Sequence, residues 1–341
     1  MMVDERVRSV IQRRLLIPVS VALGVTAVVA LGFDIPQWAQ YVPFLASLLV
    51  LGLPHGALDH LVPARMSRMT VGVSVTRVSV LYLVLGVVVL VTWLIFPLAA
   101  FIVFIGITWY HWGQGDLHAL VAFSGATHLR SVLSRVLTIV VRGGLPMLVP
   151  LLAFPEAYLD VVTTTASLFR DDLTITTGTV DNVRRIGMIA LPAAAILLFV
   201  LTARQGQGIR VTRSWLADVA EVLLLTAYFS VVPPILAVGM YFCFWHALRH
   251  IIRLQLIDAA AATALRAGEV ARAMRIFARD AAPTTGLALL ILVIAAVIAG
   301  TPGDHELARL LGVYLVLLSA LTLPHVVVVT YMDRRDRLWV P

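Results

Sequence analysis

An all-α, polytopic transmembrane helix bundle of about ten spans, with both termini cytoplasmic, is predicted from composition, the recurrence of long apolar runs, and the distribution of arginine. The 341 residues are 60% hydrophobic and 13% charged, with mean hydropathy +0.95. Soluble domains carry about 25% charged residues, so there is too little charge here to cover a water-facing surface. Apolar runs of about 18 residues or more, each able to cross a hydrocarbon core of about 30 Å as a helix, recur from end to end. They leave no room for a large soluble domain. Residues 1–341 therefore read as one integral membrane domain, multi-pass in the lipid bilayer of the cell membrane.

The first run is preceded by Arg6, Arg8, Arg13 and Arg14, as in the charged start of a signal peptide. No small-residue cleavage site follows and further spans come after it, so it reads as a retained anchor over 15–33. The remaining spans are expected at 41–62, 78–96, 97–121, 131–153, 186–203, 215–231, 233–254, 285–301 and 306–330. Pro97 and the pair Pro233–Pro234 stand where two spans meet with almost no loop, which predicts tight helical hairpins.

All 26 basic residues are arginine, and 21 of them fall in 1–14, 63–77, 122–135, 204–213, 249–282 and 331–341. The alternate connections hold few, and the longest carries Glu156, Asp160, Asp171, Asp172 and Asp181. Basic residues mark cytoplasmic connections, so both termini lie inside and the even-numbered spans run from outside to inside. The pI of about 10.2 does not argue for a nucleic-acid partner, because the arginines are spread over connections rather than gathered in a patch. The stretch 255–282, with Arg266, Glu269, Arg272, Met274, Arg275 and Phe277, reads as an amphipathic segment along the cytoplasmic interface.

Ionisable groups inside a bilayer cost roughly 2.5–3.5 kcal/mol each on insertion scales, so each asks for a partner or a purpose. His55 and His60 fall in the second span, His111 and His118 in the fourth, His246 and His250 in the eighth, and His325 in the tenth. These four spans run in one direction. At 1.5 Å per residue, His55, His111 and His246 lie about 20 Å in, with His250 and His325 several ångströms deeper. His246 and His250, four apart, share one helix face.

Neutral imidazole is the commonest metal ligand, and the only cysteine, Cys243, lies in an apolar run and offers no thiolate site. A nitrogen-ligated iron, zinc or copper suits such a set. Asp59 and Asp116 are either carboxylate partners behind metal-bound imidazoles or counterions of arginines such as Arg249. Arg142, beside Gly143, Gly144 and Pro146, is expected to be a buried ion-pair partner at a broken helix. Trp109, Tyr110 and Trp112 flank His111, and Tyr241, Phe242, Phe244 and Trp245 precede His246. These rings either line a cavity for a long conjugated hydrocarbon or fill helix interfaces.

Three strings, Gly-Leu-Pro-His-Gly-Ala-Leu-Asp-His at 52–60, Trp-Tyr-His-Trp-Gly-Gln-Gly-Asp at 109–116 and Trp-His-Ala-Leu-Arg-His at 245–250, together resemble the Brp/Blh family of β-carotene 15,15′-dioxygenases. The resemblance runs from the second span to the C-terminus. It implies cleavage of the central double bond of all-trans-β-carotene by O2 into two molecules of retinal, with Fe2+ held by His55, His111, His246 and His250 and with His325 as a further candidate. It also implies that the product is passed to a microbial rhodopsin. The ring-to-centre length of the substrate would then act as a ruler that sets its double bond beside the metal. A bis-histidine haem electron carrier, a proton-coupled transporter and a di-iron desaturase or hydroxylase would also use intramembrane histidine. The desaturase reading is weakened because only one histidine pair stands at the box spacing such enzymes repeat.

Overall fold

In a computed structural model, which describes residues 3–170, 177–205, 208–300 and 306–340, the chain is helical apart from a two-residue ladder pairing Arg204–Gln205 with Gly208–Ile209. Asp171 and Asp172, counted above in the acidic connection, lie outside the described residues. Helix α1 is Glu5–Gly32 and α2 is Gln37–Leu49; single turns at Leu53–Gly56 and Asp59–Leu61 lead into the short α3, Val62–Met66. Then come α4 (Val71–Ile95), α5 (Pro97–Ala122), α6 (Val132–Ala153), α7 (Pro155–Ala166) and α8 (Thr177–Ala203). Helices α9 (Arg213–Val231), α10 (Pro234–Ile257), α11 (Ala259–Arg266), α12 (Val270–Ala299) and α13 (Glu306–Arg335) complete the bundle.

Nine stretches among the described residues, one of them the broken second span Gln37–Met66, are long and apolar enough to cross a membrane, against about ten expected. The stretch expected as the fourth span is the 26-residue α5, whose second half buries His111, Gln114, Asp116 and His118 and is too polar to join that set. The proline hairpins at Pro97 and Pro233–Pro234 are present, and Pro155 starts α7 in the same way.

Two other boundaries differ from expectation. Residues 255–282 are not one segment: they divide among the end of α10, α11 and the first part of α12, which starts at Val270 and not near 285. The second span is not one helix but breaks after Leu49. Gly52 and Gly56 weaken helix there, while Pro54 and Pro63 remove backbone donors. Non-helical backbone at membrane depth is tolerated only where protein encloses it or a cavity needs it. Here the exposed carbonyls are taken up: Thr284 donates to Ala57 (2.8 Å), Ser74 to His60 (2.7 Å), and the His55 imidazole to Gly52.

Five of the six arginine-rich stretches meet at one end of the bundle. Gln12 donates to the Phe123 carbonyl, Arg14 to that of Gly268 and Arg135 to that of Leu338, at 2.9, 2.9 and 2.6 Å. Arg65 pairs with Asp258 at 2.9 Å, and Arg253 with Asp336 at 2.7 Å. The centre is made by α5, α6, α10, α13 and the broken segment. In α10, 78% of the apolar stretch is buried, against 11% in α4 and α12, which stand at the periphery. Helices α5 and α6 cross without side chains between them, because a Cβ on Gly113 would overlap the Ile139 carbonyl and one on Gly143 the Trp109 carbonyl. Close backbone approach at small residues is the usual device for packing helices in lipid. Helix α6 runs unbroken through Arg142, so the expected break there is absent.

Candidate metal centre

Five histidines converge from four parts of the chain. His55 sits on the turn of the broken second span, His111 on α5, His246 and His250 on α10, and His325 on α13; all five are buried. Their placement on α10 has a local cause: Tyr241–Ala247 is wound as a π-helix, a form concentrated at functional sites, and it ends where His246 enters the cluster.

The His246 and His111 Nε2 atoms face each other at 3.1 Å. His55, His111 and His246 offer nitrogens that all lie within 4.8 Å of one another, and so do one atom each of Asp59, His250 and His325. His246 and His250 therefore fall into adjacent groups rather than acting as a single pair. The groups interlock, because His325 stands 4.9 Å from His55, 4.7 Å from His111 and 4.9 Å from His250 between ring centroids. His55 stands 5.5 Å from His246, 5.7 Å from His250 and 6.5 Å from His111.

Two imidazoles that share one ion through nitrogens at about 2.1 Å carry centroids roughly 4.5–6.5 Å apart, depending on the angle between them. The observed separations fit that range. The Nε2 atoms of His250 and His325 are buried without a hydrogen-bond partner among the described residues, and those of His111 and His246 face each other. Buried polar atoms are ordinarily paired, so a cluster of unpaired ring nitrogens is what an absent cation would leave.

Asp59 and Asp116 have different fates. Asp59 accepts from His325 Nδ1 at 2.7 Å and from the Tyr82 hydroxyl at 2.6 Å, both on Oδ2, which turns the His325 Nε2 toward the cluster. Asp116 touches none of these imidazoles. It accepts from the Trp245 indole at 3.0 Å and pairs with Arg142 at 3.4 Å and Arg249 at 3.9 Å. Arg142 also binds Asp218 and Glu221, the latter at 2.7 Å, and His128 meets Asp218 at 3.0 Å. These paired charges form a largely buried network that joins α5, α6, α9 and α10. The remaining span histidines stand apart: His118 lies 3.7 Å from Asp336, and His60 lines the cavity described next.

A cavity of about 800 Å3 opens on the cluster and includes His55, His111 and His325 in its wall. Its lining is otherwise mostly aliphatic and aromatic, with Phe101, Phe104, Trp112, Met147, Tyr158 and Phe242 along it. Of the seven aromatic residues expected around a substrate, Trp112 and Phe242 line this cavity. Trp109 turns to α6 and donates to the Val140 carbonyl at 2.9 Å. Tyr110 accepts from Gln114, at 3.4 Å, away from the cluster. Tyr241 stacks among Phe229, Trp112 and Trp245, Phe244 packs into the apolar core around Leu51 and Leu248, and Trp245 lies beneath the Arg249 guanidinium, 3.6 Å from its ring centre. These five fill helix interfaces because a helix presents only one face to a cavity. Phe242 stands 5.6 Å from His55, whereas Tyr82 was not foreseen from the sequence. The signal for Tyr82 was an unpaired Asp59 that needed a donor from a neighbouring span.

A sequence model of the β-carotene 15,15′-dioxygenase family matches residues 46–333. The protein described as "Probable beta-carotene 15,15'-dioxygenase Blh" of Halobacterium salinarum is 41% identical over 317 residues, covering 92% of this chain and 90% of that relative. "Probable beta-carotene 15,15'-dioxygenase Brp" of the same organism is 29% identical over 322 residues, covering 90% and 88%. No solved structure matches the chain.

Proposed function

The chain belongs to the β-carotene 15,15′-dioxygenase family, and we propose that it cleaves all-trans-β-carotene at the central 15,15′ double bond with O2, giving two molecules of all-trans-retinal. The observation that carries this reading is the meeting of five buried imidazoles, two of them with unpaired Nε2 atoms, at the wall of a large apolar cavity. The stoichiometry is closed: the double bond breaks, each of its carbons takes one oxygen atom as an aldehyde, and no proton enters or leaves. The chain therefore needs no side-chain acid or base at the reacting carbons.

His55, His111, His246 and His250 are the residues that would hold Fe2+, with His325 as a fifth ligand through its unpaired Nε2. Bound ferrous iron would supply the activation of dioxygen. The protein's own part is positional. Asp59 fixes which His325 nitrogen carries the proton, and the Gly52 carbonyl does the same for His55. Trp112 and Phe242 stack at 6.0 Å beside the cluster and give a polyene a flat wall to lie against. The apolar lining excludes water, and a cavity of about 300–1,000 Å3 is the usual size for burying a ligand of this class. We place the chain in the cell membrane with both termini cytoplasmic, and its product is suited to transfer to a microbial rhodopsin.

The test is expression in β-carotene-producing cells, with retinal measured by chromatography. Wild type should lose yellow colour and accumulate retinal, His246→Ala should not, and purified protein should carry one iron per chain whose removal by a chelator abolishes cleavage until Fe2+ is restored. Colour loss without retinal, or retinal from His246→Ala at the wild-type rate, would sink the assignment. A strong Soret band would favour the haem reading instead, and two irons per chain the di-iron reading.

A further inference from the structure

The cavity wall is not equally covered. Most of its lining residues are buried or half-buried, but on α4 Ser79, Leu83, Val87 and Leu90 line the cavity and are exposed. On α12 the same is true of Leu287 and Ile291, and exposed lining residues occur on no other helix among the described residues. Their spacing of three and four puts each set on one helix stripe. Both helices pack on α13 and flank it, and Leu317, Leu318 and Leu321 of α13 lie in the cavity wall. At Gly86 α4 comes close to α13, since an added Cβ would stand 3.7 Å from the Ala320 carbonyl.

The height of this opening decides what can use it. Leu83 is the central residue of the 25-residue α4, so the gap faces hydrocarbon rather than water or headgroups. Its inner end is the Tyr82 hydroxyl, bound to Asp59 and through it to His325.

We infer that the gap between α4 and α12 is a lateral portal by which a long apolar substrate passes from the bilayer midplane to the histidine cluster. The inference rests on the carotenoid reading above for the identity of the occupant. An elongated hydrocarbon partitioned in lipid enters sideways along α13, with no passage through water and no polar group to desolvate. Val87 and Ile291, on opposite rims, then control entry.

The experiment compares tryptophan substitutions matched for exposure. Val87 is 50% and Ile291 46% exposed and both line the cavity; Val84 at 54% and Leu290 at 56% are on the same helices and do not. The full chain is purified in lipid nanodiscs, and β-carotene bound per chain is read from its absorption, independently of cleavage. Val87→Trp/Ile291→Trp should lower bound carotenoid at limiting supply, and lower kcat/KM about tenfold with iron content unchanged, while Val84→Trp/Leu290→Trp should match wild type. Equal binding and equal kcat/KM in the two double variants would overturn the portal, as would loss of co-purifying lipid from the first variant with carotenoid uptake unaltered. If wild type binds β-carotene without making retinal, the cleavage reading fails while the binding comparison still decides the portal.

Discussion

Asp59→Asn separates a histidine held for metal binding from one that is merely buried. Asp59 is 1% exposed, and its Oδ2 accepts from both His325 Nδ1 (2.7 Å) and the Tyr82 hydroxyl (2.6 Å). Asparagine keeps the shape and one acceptor oxygen but loses the charge. Hydrogen bonds to a charged group contribute about 1.5–3 kcal/mol and neutral ones about 1 kcal/mol, so weakening the bond from His325 Nδ1 removes roughly 0.5–2 kcal/mol of the restraint on His325. Loss of a carboxylate behind a metal-bound imidazole costs about 10–100-fold in metal affinity, or about 1.4–2.7 kcal/mol, which overlaps that range. The expected result is iron binding weakened about tenfold in competition with a chelator, with a parallel fall in retinal formation at limiting iron. Tyr82→Phe, which removes one bond and no charge, should fall between wild type and Asp59→Asn, and His325→Ala should be weakest. If Asp59→Asn and His325→Ala both hold iron as tightly as wild type, His325 is outside the ligand set and the role given to Asp59 is wrong.

Three further outcomes test the scaffold. Gly143→Ala must push α5 and α6 apart, because its Cβ would overlap the Trp109 carbonyl; overpacking of about 1–3 kcal/mol should lower thermal stability in detergent, whereas Gly106→Ala, with nothing within 4 Å, should not. Arg142→Gln leaves Asp218 buried without its main counterion, and breaking such a buried pair costs about 3–5 kcal/mol, so monodisperse protein should be largely lost on mild heating. Gly115→Ala places a Cβ 3.3 Å from His246 Cε1, enough to displace the ring by a few tenths of an ångström. It should lower cleavage roughly threefold to tenfold with thermal stability little changed; an equal loss of stability would show that the ring was never the part that yielded.

Features governed by local rules were legible in the chain. An apolar run long enough to cross a bilayer reads the same wherever it packs, and arginines sort to one side by their own energetics, so the class of fold and the arginine-rich end followed from composition and order. Rise per residue along co-directional spans brought His55, His111, His246, His250 and His325 to one layer, because depth along a straight helix is also a local quantity. The break after Leu49 was written in Gly52, Pro54 and Gly56, but hydropathy alone passes over it, since the segment stays apolar while its backbone leaves the helix.

Rotation about each helix axis is not local, and there the tertiary structure decided. Asp59 and Asp116 look alike in sequence, each a few residues beyond a histidine, yet one meets His325, 266 positions away, and the other is claimed by Trp245, Arg142 and Arg249. Trp112 turns to the cavity while Trp109, three residues earlier on α5, turns to α6 because Gly113 and Gly143 let those helices touch. The sequence by itself determined that histidines would gather at one depth inside a membrane bundle. Which of them face one another, which carboxylate stands behind them and where the cavity opens depend on how neighbouring helices are turned, an angle set by contacts between residues far apart in the chain.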